Sequence, residues 1–180
     1  MRNKNWIFLF IFMGMFMVIT SSCKKDDTVD TPTMSDESFY KDIAYALVMC
    51  YVDIYNQNLA GVTTGTHNIT ANGPMGGNVV ITGTTTYDNT HGITTTDLVL
   101  SMSNVKYITS NANLELTGST TYSGSFSSGY TSVNHQSDNL YIKGLITRNS
   151  ISRNIDMSGQ VSINRSTSIS ANIFGYTVTW

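Results

Sequence analysis

Residues 36 to 59 of this 180-residue chain read DESFYKDIAYALVMCYVDIYNQNL, and this stretch decides the fold. Its apolar residues recur at helical spacing, with Phe39, Ile43, Leu47 and Ile54 on one stripe. Further apolar residues lie on the other faces, and a helix of that kind is normally buried on several sides. Because the chain after it has strand patterning, we expect a sheet to curl around this helix.

Both ends of the predicted helix carry recognisable signals. Thr33 or Ser35 can cap its first turn, and Asp36 and Glu37 lie where the helix dipole favours negative charge. Gly61 can supply the left-handed residue that ends it. The sequence therefore predicts a helix over 36–59 at the start of a single domain over 35–180.

The rest of the chain is rich in Ser, Thr and Asn and contains repeated runs in which apolar and polar residues alternate. Such alternation is typical of antiparallel strands with one buried face. The candidate strands cover 63–71, 77–87, 92–104, 112–123, 125–134, 138–148, 154–165 and 167–179. The predicted fold class is α+β: an antiparallel β meander of about seven to eight strands, curved around one N-terminal helix.

Four of these runs place two apolar residues and then a glycine on the same strand face. The glycines are Gly83, Gly118, Gly144 and Gly159. Glycine weakens a strand, so its recurrence indicates either close approach by another element or a bend in the sheet. The helix is the only element available to approach, and we expect it to lie across this glycine row, with twist or bulges as the alternative.

Composition and charge exclude some classes of function. The formal net charge is -2, and the basic residues form no cluster that would indicate nucleic-acid binding. Two cysteines, Cys23 and Cys50, are too few for a disulfide scaffold. The domain must therefore be stabilised by packing and by backbone hydrogen bonds.

The N-terminus has the outline of a secretory signal peptide over residues 1–22. Arg2 and Lys4 precede an uncharged run from Trp6 to Ile19, which ends in small polar residues. The run is shorter than the roughly 20 residues of a membrane-spanning helix, although a plain transmembrane anchor is the alternative.

Ser21, Ser22 and Cys23 follow the apolar run, and this arrangement resembles the lipobox of bacterial lipoproteins. Thr20 stands where that motif usually has Leu. The resemblance implies that Cys23 is lipidated and becomes the first residue of the mature chain, with residues 23–34 as a flexible lipidated tether. Several acyl chains together give stable membrane anchoring, whereas one alone binds only marginally.

The residues after the cysteine are Lys24, Lys25, Asp26 and Asp27, followed by Thr28. A lysine followed by two acidic residues resembles the surface-export signal of Bacteroidetes lipoproteins, and Asp-Thr-Val resembles the O-glycosylation acceptor of those bacteria. An ordinary solvated charge run is the alternative. The resemblance, which covers only the N-terminal tenth of the chain, implies an outer-membrane lipoprotein facing the cell exterior.

No catalytic or metal-binding pattern stands out in the domain. His67, His91 and His135 lie in separate strands or turns, and His135 and Asp138 straddle a predicted turn. Cys50 lies mid-helix among apolar residues, where an inert buried thiol is expected. We therefore predict that the protein is not an enzyme and uses no cofactor or metal.

Two classes of function fit the sequence. The first is a membrane-anchored interaction or structural module that meets an unknown protein or glycan partner. The second is a curved-sheet carrier of an apolar ligand such as a lipid, an analogy at the level of fold. A helix that fills the concave side of the sheet favours the first class, and a sizeable apolar cavity beside it would favour the second.

Overall fold

Helix α1 spans Asp36–Leu59, as predicted, in a computed structural model that describes residues 33–62 and 64–180. Ser35 is the N-cap, and its hydroxyl accepts a hydrogen bond from the Ser38 amide at 3.3 Å. Gly61 follows the helix with φ +85°, which is the left-handed conformation predicted for it.

The remaining elements form one antiparallel meander in which each strand pairs with the next along the chain. The strands are β1 (Gly65–Asn72), β2 (Asn78–Asp88), β3 (Ile93–Ile108), β4 (Ala112–Ser127), β5 (Tyr130–Arg148), β6 (Ile151–Arg165), β7 (Ile169–Ile173) and β8 (Tyr176–Thr179). The sheet is open, because β1 and β8 do not pair with each other. The predicted α+β meander around one N-terminal helix is confirmed.

Three strand divisions predicted from the sequence are wrong. The break placed between 123 and 125 is absent, because β4 continues to Ser127 and the turn lies at 128–129. The break placed between 134 and 138 is absent: β5 runs through it, and the pairing of β5 with β6 absorbs the irregularity as a bulge between Ser137 and Leu140. The single strand predicted over 167–179 is two strands. They are joined by Phe174 and Gly175, both with positive φ, as a tight two-residue hairpin requires.

The helix packs against the concave face of the sheet and contacts strands β3 to β8. Ile43, Leu47 and Ile54 are 0 % exposed there, as are Leu116 and Ile142 of the facing strands. The opposite, convex face carries mainly Ser, Thr and Asn. Each strand therefore contributes alternate residues to two different environments.

The glycine row does not receive the helix, so that expectation is wrong. A Cβ atom on Gly83 would lie 2.1 Å from the Asp97 carbonyl oxygen, and one on Gly144 would lie 2.1 Å from that of Asn113. Both neighbours belong to the adjacent strand, and both glycines have positive φ. The alternative reading, that these glycines allow the sheet to bend sharply, accounts for them.

A charged pair fastens the first half of the helix to the sheet. Asp42 is buried, and its carboxylate accepts two hydrogen bonds from the Arg148 guanidinium, at 2.7 and 2.9 Å. Asn111 donates a third at 3.1 Å. Three donors compensate the cost of burying this carboxylate, and the pair fixes the helix against the ends of β4 and β5.

Three further contacts fix the orientation of the helix. Arg153 of β6 bonds to Asp36, and its guanidinium carbon lies 4.0 Å from the centre of the Phe39 ring. Nearer the C-terminal end, the Tyr107 hydroxyl donates to Asp53 at 2.6 Å. The helix is thus held at both ends as well as by its apolar core.

The signal peptide over 1–22 and the lipidation, export and glycosylation predictions for Cys23 to Thr28 concern residues outside the described part of the chain. Within residues 33–62 and 64–180, no helix is long and apolar enough to cross a membrane.

Candidate functional site: a depression on the convex face

The convex face has a depression of about 410 Å³ near one end of strands β3, β4 and β5. The outward-facing side chains around it are Met75, Lys106, Ile108, Asn113, Glu115, Lys143 and Leu145. The strand register explains why they meet: Lys106 pairs with Glu115, which pairs with Lys143, and Asn113 lies between Ile108 and Leu145. The site is therefore two adjacent rows of cross-strand neighbours.

The loop between β1 and β2 closes one side of this depression. The Lys106 amide donates to the Gly76 carbonyl at 2.9 Å, and the Ile108 amide lies 3.2 Å from the Met75 sulfur. Gly77 has φ +78° and no room for a side chain, because its Cβ would lie 2.1 Å from the Asn104 carbonyl oxygen. This close approach holds Met75 over the end of β3.

A group of three exposed apolar side chains distinguishes the depression from the rest of the convex face. Met75 is 49 % exposed, Ile108 50 % and Leu145 39 %. A shift of one residue would have placed Ile108 and Leu145 inward, but the strand register fixes them outward, and the β1–β2 loop places Met75 beside them. We call Met75, Ile108 and Leu145 the apolar triad.

The charged row beside the triad makes no ion pair within the described residues. Lys106, Glu115 and Lys143 have no partner of opposite charge within 4.0 Å. The next residue in the row, Asp156, instead accepts a hydrogen bond from the Tyr141 hydroxyl at 2.8 Å. The row thus offers both signs of charge to whatever contacts this face.

Gly144 shapes the depression from below. It lines the cavity with main chain alone, and its close approach to Asn113 belongs to the bend described above. A side chain at this position would press on the neighbouring strand, so the bend and the depression depend on the same residue.

Two other spaces differ in character. A groove of about 460 Å³ lies between the β4–β5 and β6–β7 turns and is lined by glycine and by serine and threonine hydroxyls, such as those of Ser128 and Thr167. A smaller cavity of about 120 Å³ lies on the concave side next to Tyr55 and Arg165. The first has no charged or apolar side chain to select a ligand, and the second is too small for a lipid chain.

The three histidines lie in separate strands or turns, as predicted, and each has different neighbours. His67 bonds to the Thr85 hydroxyl at 2.8 Å, and exposed His91 bonds to Asp88 at 2.6 Å. His135 is fully buried, with its ring 4.8 Å from that of Tyr51. The turn predicted between His135 and Asp138 is absent, because both residues belong to β5.

Burial shifts the pKa values of two side chains in the core, His135 and Cys50. It lowers the pKa of His135 from an ordinary value of 6.5 to about 3, and the positive charge of Arg165 acts in the same direction. The Cys50 thiol is likewise fully buried, and burial raises its pKa to about 12. A thiol of that kind is protonated and unreactive at neutral pH, as the sequence predicted.

Within residues 33–62 and 64–180, no three His, Cys, Asp or Glu side chains are grouped as metal ligands would be. Comparison with protein-family models, with curated proteins and with solved structures found no match to this chain. The case for function consequently rests on the geometry of the described residues.

The sequence reasoning missed the depression. Ile108 and Leu145 break the polar pattern of the outward positions, and this was the available signal. Lys106, Glu115 and Lys143 are far apart in sequence, so their common row becomes visible only with the strand register.

Proposed function

We propose that the protein is a lipid-anchored, surface-exposed module of a Bacteroidetes-type lipoprotein that binds a partner protein through the depression on its convex face. The observation that carries this proposal is the apolar triad, grouped beside a row of unpaired charges on a face that carries mainly Ser, Thr and Asn. An apolar centre with a polar and charged rim is the usual composition of a protein interface.

The packing of the concave face also favours an interaction module over a carrier of an apolar ligand. Helix α1 occupies the space that a carried ligand would need, with Ile43, Leu47 and Ile54 at 0 % exposure. The cavity beside the helix has a volume of about 120 Å³. Pockets for ligands of ordinary size are about 300–1,000 Å³, so a lipid carrier is the less supported class.

The binding test is a capture experiment with matched surface variants. Residues 33–180 carrying a photo-crosslinker at Asn113 are offered to intact cells, and the crosslinked species is identified by mass spectrometry. Ile108→Asp should abolish the crosslink, because a charge replaces the centre of the apolar triad. Val99→Asp is the control: Val99 is also an exposed apolar residue, at 37 %, on the convex face, but it does not line the depression.

Capture that is equal for both variants would contradict the proposal. If the captured material resists protease and is destroyed by periodate, the occupant is a glycan and the protein-partner proposal fails.

The anchor and its location are tested separately. Mass spectrometry of the membrane fraction should find a diacylated or triacylated N-terminal Cys23, and Cys23→Ala should release or stall the protein. Protease added to intact cells should degrade the parent chain, and replacing Lys25, Asp26 and Asp27 by Ala should protect it. An unmodified Cys23 would refute lipidation, and protection of the parent until the outer membrane is broken would place the protein in the periplasm.

A further inference from the structure

A small cavity on the concave side of the sheet has the features of a ligand site and lies outside the depression proposed above. It has a volume of about 120 Å³ and opens between the C-terminal half of helix α1 and the ends of β4, β5 and β6. Its principal lining residues are Val52, Tyr55, Tyr122, Phe126, Val133 and Arg165. An enclosed cavity of about 150 Å³ binds benzene, so this smaller, open-sided cavity can hold most of one six-membered ring while the polar end of the ligand stays at its mouth.

Three aromatic rings form the wall and hold one another in place. The Tyr55 ring lies 5.2 Å from that of Phe126, edge to face at 89°, and 5.7 Å from that of Tyr122. Edge-to-face geometry is a favoured arrangement for aromatic pairs, so the wall is preorganised for a further ring.

Arg165 supplies a positive charge at the same cavity. Its side chain is half-buried and makes no ion pair within the described residues. The charge acts on the cavity wall: burial raises the pKa of Tyr122 to about 12, and the nearby guanidinium opposes that rise. The other arginines of the domain differ, because Arg148 and Arg153 are both paired with aspartates of helix α1.

We propose that this cavity binds an aromatic carboxylate, with the ring against Tyr55, Tyr122 and Phe126 and the carboxylate on Arg165. The guanidinium matches a carboxylate in a planar, two-point geometry, which a lysine ammonium cannot reproduce. The two sources of this chemistry are a free aromatic acid and the C-terminal phenylalanine or tyrosine of a peptide.

The experiment measures binding to the full chain in detergent solution by titration calorimetry. The probes are phenylacetate, N-acetyl-phenylalanine and N-acetyl-phenylalanine amide. The amide keeps the ring and loses the negative charge, so the carboxylate should bind at least tenfold more tightly than the amide. Phenylacetate binding without N-acetyl-phenylalanine binding assigns the site to a free acid, and preference for N-acetyl-phenylalanine assigns it to a peptide terminus.

The variants separate charge, shape and folding. Arg165→Gln should remove the difference between acid and amide, whereas Arg165→Lys should retain part of it. Val52→Phe should fill the cavity and abolish binding of every probe. Lys41→Gln, which removes a cation from the first half of helix α1 and lines neither space, is the matched control and should bind as the parent does.

The result that overturns the proposal is equally specific. No measurable binding of either acid, or equal binding of acid and amide by the parent chain, excludes an aromatic carboxylate site. Unchanged discrimination in Arg165→Gln, with its circular dichroism spectrum like that of the parent, excludes the assigned role of Arg165. None of these outcomes depends on the depression, because no residue lines both spaces.

Discussion

The two faces of this sheet are made by the same strands, yet they use apolar residues in opposite ways. On the concave face, Leu47 of the helix is 0 % exposed and closely packed. On the convex face, Leu145 is 39 % exposed beside unpaired lysines. The difference teaches that one face carries the stability of the domain, while the few apolar residues of the other are available for contact.

The largest difference between the faces should appear in a pair of identical substitutions. Leu47→Ala should lower the free energy of unfolding by about 2 to 5 kcal/mol, because it leaves a cavity in an enclosed core. Leu145→Ala should change it by less than about 0.5 kcal/mol, as surface substitutions usually do. Urea denaturation of residues 33–180 measures both. Equal losses would mean that the convex face is part of the core.

The next largest difference in stability should come from replacing a cation on each face. Arg148→Ala leaves the buried Asp42 carboxylate without its strongest donors and should cost about 2 to 3 kcal/mol. Asp42→Asn should cost less, because the Arg148 side chain, at 39 % exposure, can still reach water. Lys143→Ala, with no ion pair to lose, should be nearly neutral. The same denaturation series tests all three, and a neutral Arg148→Ala would show that the helix does not need this pair.

Two glycines test whether close approach between neighbouring strands causes the bend of the sheet. Gly144→Ala should cost about 1 to 3 kcal/mol, because its Cβ meets the Asn113 carbonyl and its φ is +155°. Gly159→Ala should cost less, since its Cβ meets only the side chain of Phe174, at 2.9 Å, which can turn away. Thermal unfolding of the two variants provides the comparison. The opposite order would contradict the close approach of Gly144 to the Asn113 carbonyl as the cause of the bend.

The smallest of these effects is the dependence of the free energy of unfolding on pH. Because the pKa of His135 is about 3 in the fold and about 6.5 when unfolded, only the unfolded chain takes up this proton between those values. Stability should therefore be complete above pH 6.5 and fall by about 1.4 kcal/mol by pH 5.5.

Denaturation at several pH values should show a flatter curve for His135→Phe. Parallel curves for the parent and His135→Phe would contradict the burial of a neutral imidazole.

Much of the fold followed from local pattern, and the errors fell where distant residues act. The helix and its caps depend on Ser35, Gly61 and the residues between them, and their bounds were predicted correctly. The strand alternation gave the meander and the separation of faces. The continuous β5 was missed, because a bulge against β6 takes the place of the turn predicted between His135 and Asp138.

The sequence by itself determined the helix, the alternation of the strands and the N-terminal features that resemble a lipoprotein, since each depends on neighbouring residues. Only the tertiary structure decided which residues meet. Asp42 and Arg148 are 106 positions apart, and the row of Lys106, Glu115 and Lys143 requires two strand registers. The reason is physical: local propensity acts over a few residues, whereas a binding surface or a buried ion pair forms only when the strand register and the packing of the helix bring remote side chains together.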